Sequence, residues 1–217
     1  LRYNSNGIEW REDLFDLWKH FRNVMFHFSI DDIEERLEYI RYPSDWNQIE
    51  QQIHKLDNYP HGNLSLTTAW TGIALNIYYL PEFLKWKLKS NFKLLNKWPS
   101  GAGMFSCHLA YWPPQLNIKV LPQWFKNEVS QKFDEELYPW LKENWKLCTG
   151  VQDINYDKWA ESEYGLKRIE GLVNFMNAED WSVRLYETKE WCYKVSKERN
   201  IDFNKTFPEM DWLEWYK

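Results

Sequence analysis

The sequence predicts an α/β fold, an incomplete parallel βα barrel carrying a mostly helical C-terminal extension, and three observations predict it. Period-two alternation at Val24–Asp31 and Leu64–Thr71, with a further strand read at Met104–Tyr111, is separated by stretches of helical period. Strands spaced in this way by helices suit right-handed βαβ crossovers and a parallel sheet. From Pro122 onward only helical periodicity continues. The expected division is therefore residues 1–121 as the partial barrel and 122–217 as a helical extension packed on it. A chain of 217 residues is long enough for one sizeable core with such an added layer.

Taken in order, Leu1–Asn6 reads as the last residues of a strand. Asn4-Ser5-Asn6-Gly7 then signals a turn in which Gly7 takes positive φ and the Asn side chains bond local backbone. Trp10–Phe21 places Leu14, Trp18 and Phe21 on one helical face. The next strand, Val24–Asp31, puts Val24, Phe26, Phe28 and Ile30 on one side and Met25, His27, Ser29 and Asp31 on the other. A charged connection through Glu34, Glu35 and Arg36 is expected to follow. Ser44 caps a helix striped by Trp46, Ile49, Ile53 and Leu56. Leu64, Leu66, Thr68 and Trp70 alternate with Ser65, Thr67, Ala69 and Thr71, which predicts a strand. Pro81 suits the first turn of a helix to Leu88. Lys97–Gly103 reads as a loop and Met104–Tyr111 as a fourth strand stopped by Pro113-Pro114. Trp124, Phe125, Val129, Phe133 and Leu137 fit one long helix, with further helices over Gly165–Met176 and Asp180–Asn200. The tail, Phe207–Lys217, either docks its aromatics or frays.

Composition narrows the function classes. A net charge of −5 with 27% charged residues does not suit a polyanionic partner, so nucleic acid and anionic membrane are disfavoured. No stretch approaches the roughly 20 apolar residues of a membrane helix and no signal peptide is visible, so a cytoplasmic protein is expected. Cys107, Cys148 and Cys192 are far apart and odd in number, which points to reduced, mostly buried thiols. The 15 Trp, 13 Tyr and 12 Phe must build much of the core and line a pocket or partner surface. The chain opens with Leu on a strand end, as a piece of a longer protein would.

Chemistry is expected at the C-terminal rim of the strands, where parallel barrels hold their ligands. Ser29 and Asp31 would meet there, a hydroxyl and a carboxylate suited to vicinal ribose hydroxyls. His27 shares their face, and His108 lies on another strand. A solvated loop accounts for Asp32, Glu34 and Glu35. Gly101-Ala102-Gly103 lacks the following glycine of a nucleotide fingerprint and reads as a turn. A hydrolase using Asp31 and His27 would lack a nucleophile and an oxyanion donor.

These residues resemble the later part of a radical S-adenosylmethionine (SAM) enzyme, of the twitch-domain group. The likeness is carried by Tyr3-Asn4-Ser5-Asn6-Gly7, similar to the family's Thr-Asn-Gly strand end, and by Phe28-Ser29-Ile30-Asp31-Asp32 with Tyr39-Ile40-Arg41, similar to its Ser-Ile-Asp-Gly segment and downstream Arg. Leu75–Pro81, Leu116–Pro122, Asn174–Asn177 and Phe207–Glu209 add to it, so that it spans nearly the whole chain. The resemblance implies strands three to six of a partial barrel. It also implies SAM and a [4Fe-4S] cluster as cofactors, and hydrogen abstraction by a 5′-deoxyadenosyl radical.

By that resemblance Ser29 and Asp31 would hold the SAM ribose, Asn6 would lie near its methionyl end, and Asn76 would shape the floor. Arg41 could meet a carboxylate of SAM or substrate or brace the loop, and His27 stands beside it as a second such contact. Two features depart from the family. Asp31-Asp32 replaces the Asp-Gly of the usual segment, and neither the three-cysteine cluster motif nor the Gly-Gly-Glu-Pro strand is present. Cys107, Cys148 and Cys192 are not spaced to replace the cluster ligands. The reading is therefore a C-terminal portion, inactive alone, that needs a missing N-terminal segment; its substrate is a peptide or a glycan-related molecule, and no catalytic residue is assigned. The alternative is a non-catalytic, aromatic-rich binding or scaffold protein derived from the same fold.

Overall fold

The computed structural model describes residues 1–9, 11–95, 106–149, 154–162 and 165–215. Its centre is a four-stranded sheet, β1 (Arg2–Ser5), β2 (Val24–Ser29), β3 (Leu64–Gly72) and β4 (Ser106–Leu109), ordered β1-β2-β3-β4 with every neighbouring pair parallel. Between the strands run α1 (Glu12–Trp18), α2 (Glu34–Ile40), α3 (Trp46–Asp57) and α4 (Leu80–Lys89). Sequential parallel order with helical crossovers is the arrangement the alternating periods predict.

The two faces of the sheet differ in chemistry. Val24, Phe28, Leu64, Leu66, Thr68 and Trp70 are all buried on the helix-covered side. On the other side the register aligns Asn4 with His27 and His27 with Thr67, and lower down Met25 with Ser65. Ser29 lines up with Ala69, Ala69 with Ser106, and Thr71 with His108. Most parallel sheets are apolar and covered on both sides. Here one side is polar, and Asn4 and His108 on it are exposed.

Local sequence explains the helix boundaries. The α3 stripe Trp46, Ile49, Ile53 and Leu56 is buried, and His54 and Lys55 in its last turn complement the negative end of the helix. Its cap differs from expectation. The Asp45 carboxylate accepts the Gln48 N–H at 2.9 Å, while Ser44 spends its hydroxyl on the Arg41 carbonyl. Asp45 is both charged and one residue closer, so it wins the position. Pro81 lies in the first turn of α4, and Lys87 and Lys89 in its last.

The charged stretch expected to be a connection is instead helical, as α2. Glu34 and Glu35 occupy its solvent side, Arg36 turns in to the buried Asp32, and Leu37 and Tyr39 are fully buried. Too few apolar residues made that stripe legible. Glu34 opens the helix at φ 53°, in the left-handed region. That conformation costs an L-residue about 1 kcal/mol that glycine does not bear. Glu34→Gly is therefore expected to raise stability by roughly 1 kcal/mol, read as a higher denaturation midpoint at unchanged m-value. A fall in the midpoint would show that the Glu34 side chain contributes more than its backbone costs.

Beyond Pro122 the described residues are helical. α5 (Gln123–Lys132) passes through a π-turn at Phe133–Leu137 into α6 (Tyr138–Thr149), so the long helix carries an insertion the period did not reveal. Then come α7 (Tyr156–Ala160), α8 (Leu166–Asn177), α9 (Leu185–Arg199) and α10 (Phe203–Thr206). α9 ends at Asn200 with φ 55°, a left-handed stop that Asn accepts well. The tail docks, with Phe207, Met210 and Leu213 buried. One continuous core runs from Trp18 to Leu213, joining the sheet layer to the extension.

The predicted loop at Lys97–Gly103 and the first residues of the predicted fourth strand lie outside the described residues, as does Trp10. Among the described residues no helix is long and apolar enough to cross a membrane. The aromatics mostly build the interior. Trp18 packs with Tyr3, Phe15, Phe26 and Tyr59 at centroid separations of 5.5, 4.8, 6.0 and 5.9 Å. Tyr39 meets Phe203 at 5.9 Å and Phe207 at 5.1 Å, tying α2 to the C-terminal segments.

Candidate functional site

A cleft of about 610 Å³ opens at the C-terminal ends of β1 and β2, lined by Asn4, Ser5, Asn6, Ile8, Glu9, Ser29, Arg41 and Pro43. Its volume falls within the range of small-molecule sites. Its place follows from chain direction, because parallel strands all deliver their last residues to one rim.

The turn after β1 is built from its own side chains. Ser5 Oγ accepts the Gly7 N–H at 3.0 Å, and Asn6 Oδ1 accepts the Ile8 N–H at 3.2 Å. Gly7 has φ +75°, as the turn signal predicts. These bonds hold Asn6 against the mouth of the cleft.

Asp31 does a different job from Ser29. It is 5% exposed, and both its carboxylate oxygens are engaged: Oδ1 accepts the Thr71 N–H at 2.8 Å, and Oδ2 accepts Arg41 Nε at 2.6 Å. Ser29 and Arg41 therefore line the cleft, while Asp31 stands behind Arg41 and orients its guanidinium. A charge-assisted bond to a buried carboxylate fixes that group far better than a solvated pair would.

Asn76 is deeper still, at 1% exposure. Its Nδ2 donates to the Asp31 carbonyl at 2.7 Å and to the Thr71 carbonyl at 2.9 Å, and its Oδ1 accepts the Ile73 N–H at 2.8 Å. Asn76 thus stitches the end of β2 to the end of β3, with its amide consumed by backbone. It shapes the floor through Asp31 rather than by facing the cleft.

His27 lies one pair of residues below Ser29 on the polar face, with Nδ1 2.6 Å from Thr67 Oγ1. Its Nε2 is buried without a hydrogen-bond partner. Burial first, then the charges of Arg2 and His108, holds the imidazole below its ordinary range, so it is neutral at pH 7. It is not among the residues lining the cleft.

Sequence reasoning singled out Ser29, Asn6 and Arg41, which the cleft brings together. It missed Asn4, Ser5 and Glu9. The period-two alternation placing Asn4 beside His27 was the available signal for the first; nothing local marked Glu9. A second hollow of about 240 Å³ lies by α9, lined by residues including Cys192, Tyr193, Phe203 and Leu213. It sits away from the strand rim, and Asp202 on its wall is occupied capping α10 through the Lys205 N–H at 3.1 Å.

The thiols do not converge. Cys107, Cys148 and Cys192 are free, and burial pushes each up to about 12. Among the described residues no three of His, Cys, Asp and Glu are grouped to hold a metal. Cluster ligation needs thiolates gathered on one small site. These three do not fit a cluster. Compared with family models, curated proteins and solved structures, the chain matches none, so its function must be argued from this cleft.

Proposed function

We propose that the chain is the C-terminal portion of a radical SAM enzyme of the twitch-domain group, its sheet being strands three to six of the barrel and its cleft the site of SAM. The observation that carries this reading is the cleft itself, two hydroxyls, two asparagines and an oriented arginine at the C-terminal rim of parallel strands. Ser29 and Asn6 would hold the polar groups of the nucleoside and methionyl parts, and Arg41 a carboxylate. By the family's chemistry, SAM held by Ser29, Asn6 and Arg41 would supply the 5′-deoxyadenosyl group for hydrogen abstraction. The cluster does not fit this chain's own residues, so its ligands belong to a segment outside these 217 residues. The substrate would be a peptide or a glycan-related molecule, handled in the cytoplasm.

The one-sided sheet supports the same reading. A largely polar, partly exposed face on a parallel sheet suits the inner wall of an unfinished barrel. Calorimetric titration of the chain with SAM tests the proposal, with adenosine and methionine as separate probes. SAM is expected to bind, and Arg41→Ala to weaken it at least tenfold. Absence of binding, or binding indifferent to both Arg41→Ala and Ser29→Ala, would overturn it.

A second reading, an aromatic-rich binding or scaffold protein without catalysis, is favoured by Tyr111 and Trp112. They follow β4 at the same rim and are 65% and 83% exposed. Quenching of tryptophan fluorescence by glycans or peptides, lost in Trp112→Ala while SAM leaves the chain unaffected, would favour it.

A further inference from the structure

The opposite edge of the sheet from the cleft carries a second hollow. Past β4 the chain runs through Tyr111 and Trp112, which are 65% and 83% exposed, far wetter than the rings that build the core. It then reaches Pro114, which meets the turn between α8 and α9. Pro114, Asp180, Trp181, Val183 and Arg184 line a hollow of about 270 Å³ there, sharing no residue with the cleft beside β1 and β2. That volume is just under the range of drug-sized pockets and suits a single ring-sized group.

Trp181 is fixed in place before any ligand arrives. Its backbone N–H donates to the Lys119 carbonyl at 3.1 Å, and its indole N–H donates to Glu179 Oε2 at 2.9 Å. Lys119 is 6% exposed and pairs with the same carboxylate at 2.6 Å. Its ammonium stands 5.3 Å from the Trp181 ring centre and 4.3 Å from that of Phe175, and Phe175 meets Tyr111 at 5.5 Å. Tyr111, Phe175 and Trp181 thus form one row of rings around a buried cation, joining the end of β4 to the hollow. With the indole N–H spent on Glu179, Trp181 offers a ligand its apolar ring.

A carboxylate and a guanidinium flank that ring. Asp180 Oδ1 accepts the Ser182 N–H at 2.9 Å, and bonds from the Ser182 side chain and backbone hold the Asp180 carboxyl below its ordinary range, so it is an ionised acceptor at neutral pH. Arg184 donates Nη1 to Glu187 at 3.1 and 3.2 Å, which steadies its guanidinium while the side chain stays 44% exposed. An apolar peptide side chain would use neither charge, and an ionic ligand would be repelled by one of them. A pyranose uses all three groups: its C–H face packs on the ring, and neighbouring hydroxyls donate to Asp180 and accept from Arg184.

We propose that this hollow binds one pyranose ring of a neutral glycan, whose next sugars run toward Tyr111 and Trp112. Within the proposed function, on which this step rests, it selects a glycan over a peptide as the substrate. The binding itself requires neither SAM nor a cluster.

The test is nitrogen-edited NMR of the full chain, following the tryptophan indole N–H signals, with cellotetraose, mannotetraose and tetra-N-acetylchitotetraose as probes and capped tetraproline as the rival. Trp181→Phe identifies the Trp181 signal by its loss and, keeping a ring, should retain binding. At least one sugar is expected to shift that signal with a Kd at or below about 1 mM. Asp180→Asn should weaken the same binding about tenfold, and Trp181→Ala should abolish it. The wild-type titration and Asp180→Asn decide the matter if Trp181→Ala does not fold. No shift with any sugar, a shift indifferent to Asp180→Asn, or a shift with tetraproline in place of the sugars would overturn the proposal. A sugar that binds where SAM does not supports the glycan site and overturns the radical SAM reading alone.

Discussion

Replacing Asp57 with Ala is expected to lower stability by about 4 kcal/mol, since buried N–H groups left unpaired cost about 1–3 kcal/mol each and water can reach some of them. Asp57 is the last residue of α3 and 4% exposed, and its carboxylate gathers three backbone donors in succession, from Lys93 at 2.5 Å, Leu94 at 2.8 Å and Leu95 at 2.9 Å. This group fastens the chain leaving α4 to the end of α3, beside the Phe92 ring packed on His54 at 5.0 Å and the Lys93 ammonium donating to Asn58 at 2.7 Å. For a chain of this size the loss corresponds to a fall in Tm of roughly 8–16 °C. Asp57→Asn keeps one acceptor oxygen and should cost about half as much. Thermal and denaturant unfolding of the two variants checks the ordering. A loss below about 1 kcal/mol in Asp57→Ala would mean that solvent replaces the carboxylate.

Asn76→Ala is expected to cost about 3–5 kcal/mol, because it orphans the Ile73 N–H and leaves the carbonyls of Asp31 and Thr71 without their donor. Asn76→Asp has nearly the same shape yet should be at least as damaging near neutral pH. It replaces the amide donor with an oxygen facing two carbonyls. The pair of variants separates lost bonding from lost volume. If Asn76→Asp is tolerated and Asn76→Ala is not, packing rather than hydrogen bonding holds this corner. Because Asp31 also positions Arg41, both variants should weaken ligand binding in the cleft along with stability.

The central strands β2 and β3 were legible because each turns one apolar face to the helices. The alternation of Leu64, Leu66, Thr68 and Trp70 is decided by burial alone, and all four are buried as expected. α2 was not legible, since Leu37 and Tyr39 are too few to outweigh the charges of Glu34, Glu35 and Arg36. The π-turn at Phe133–Leu137 left no local mark, because Phe133 and Leu137 stay buried on the core side through it. At the site, Ser29 and Asn6 were found from strand phase and turn chemistry. The division of labour between Ser29 and Asp31 was hidden. It depends on Arg41 and on the Thr71 N–H, which only the folded chain brings to the same carboxylate.

The unlike faces of the sheet also protect it during assembly. Shifting β3 by one residue against β2 would turn Ser65 and Thr67 toward the helices in place of Leu64 and Leu66, and would strand Trp70 in water. Such a slipped pairing loses the burial of several large side chains and leaves hydroxyls dry, at a cost of many kcal/mol. A sheet greasy on both sides has no comparable discriminator between neighbouring registers. The wet side that leaves room for a ligand therefore also gives the folding chain one correct alignment to find.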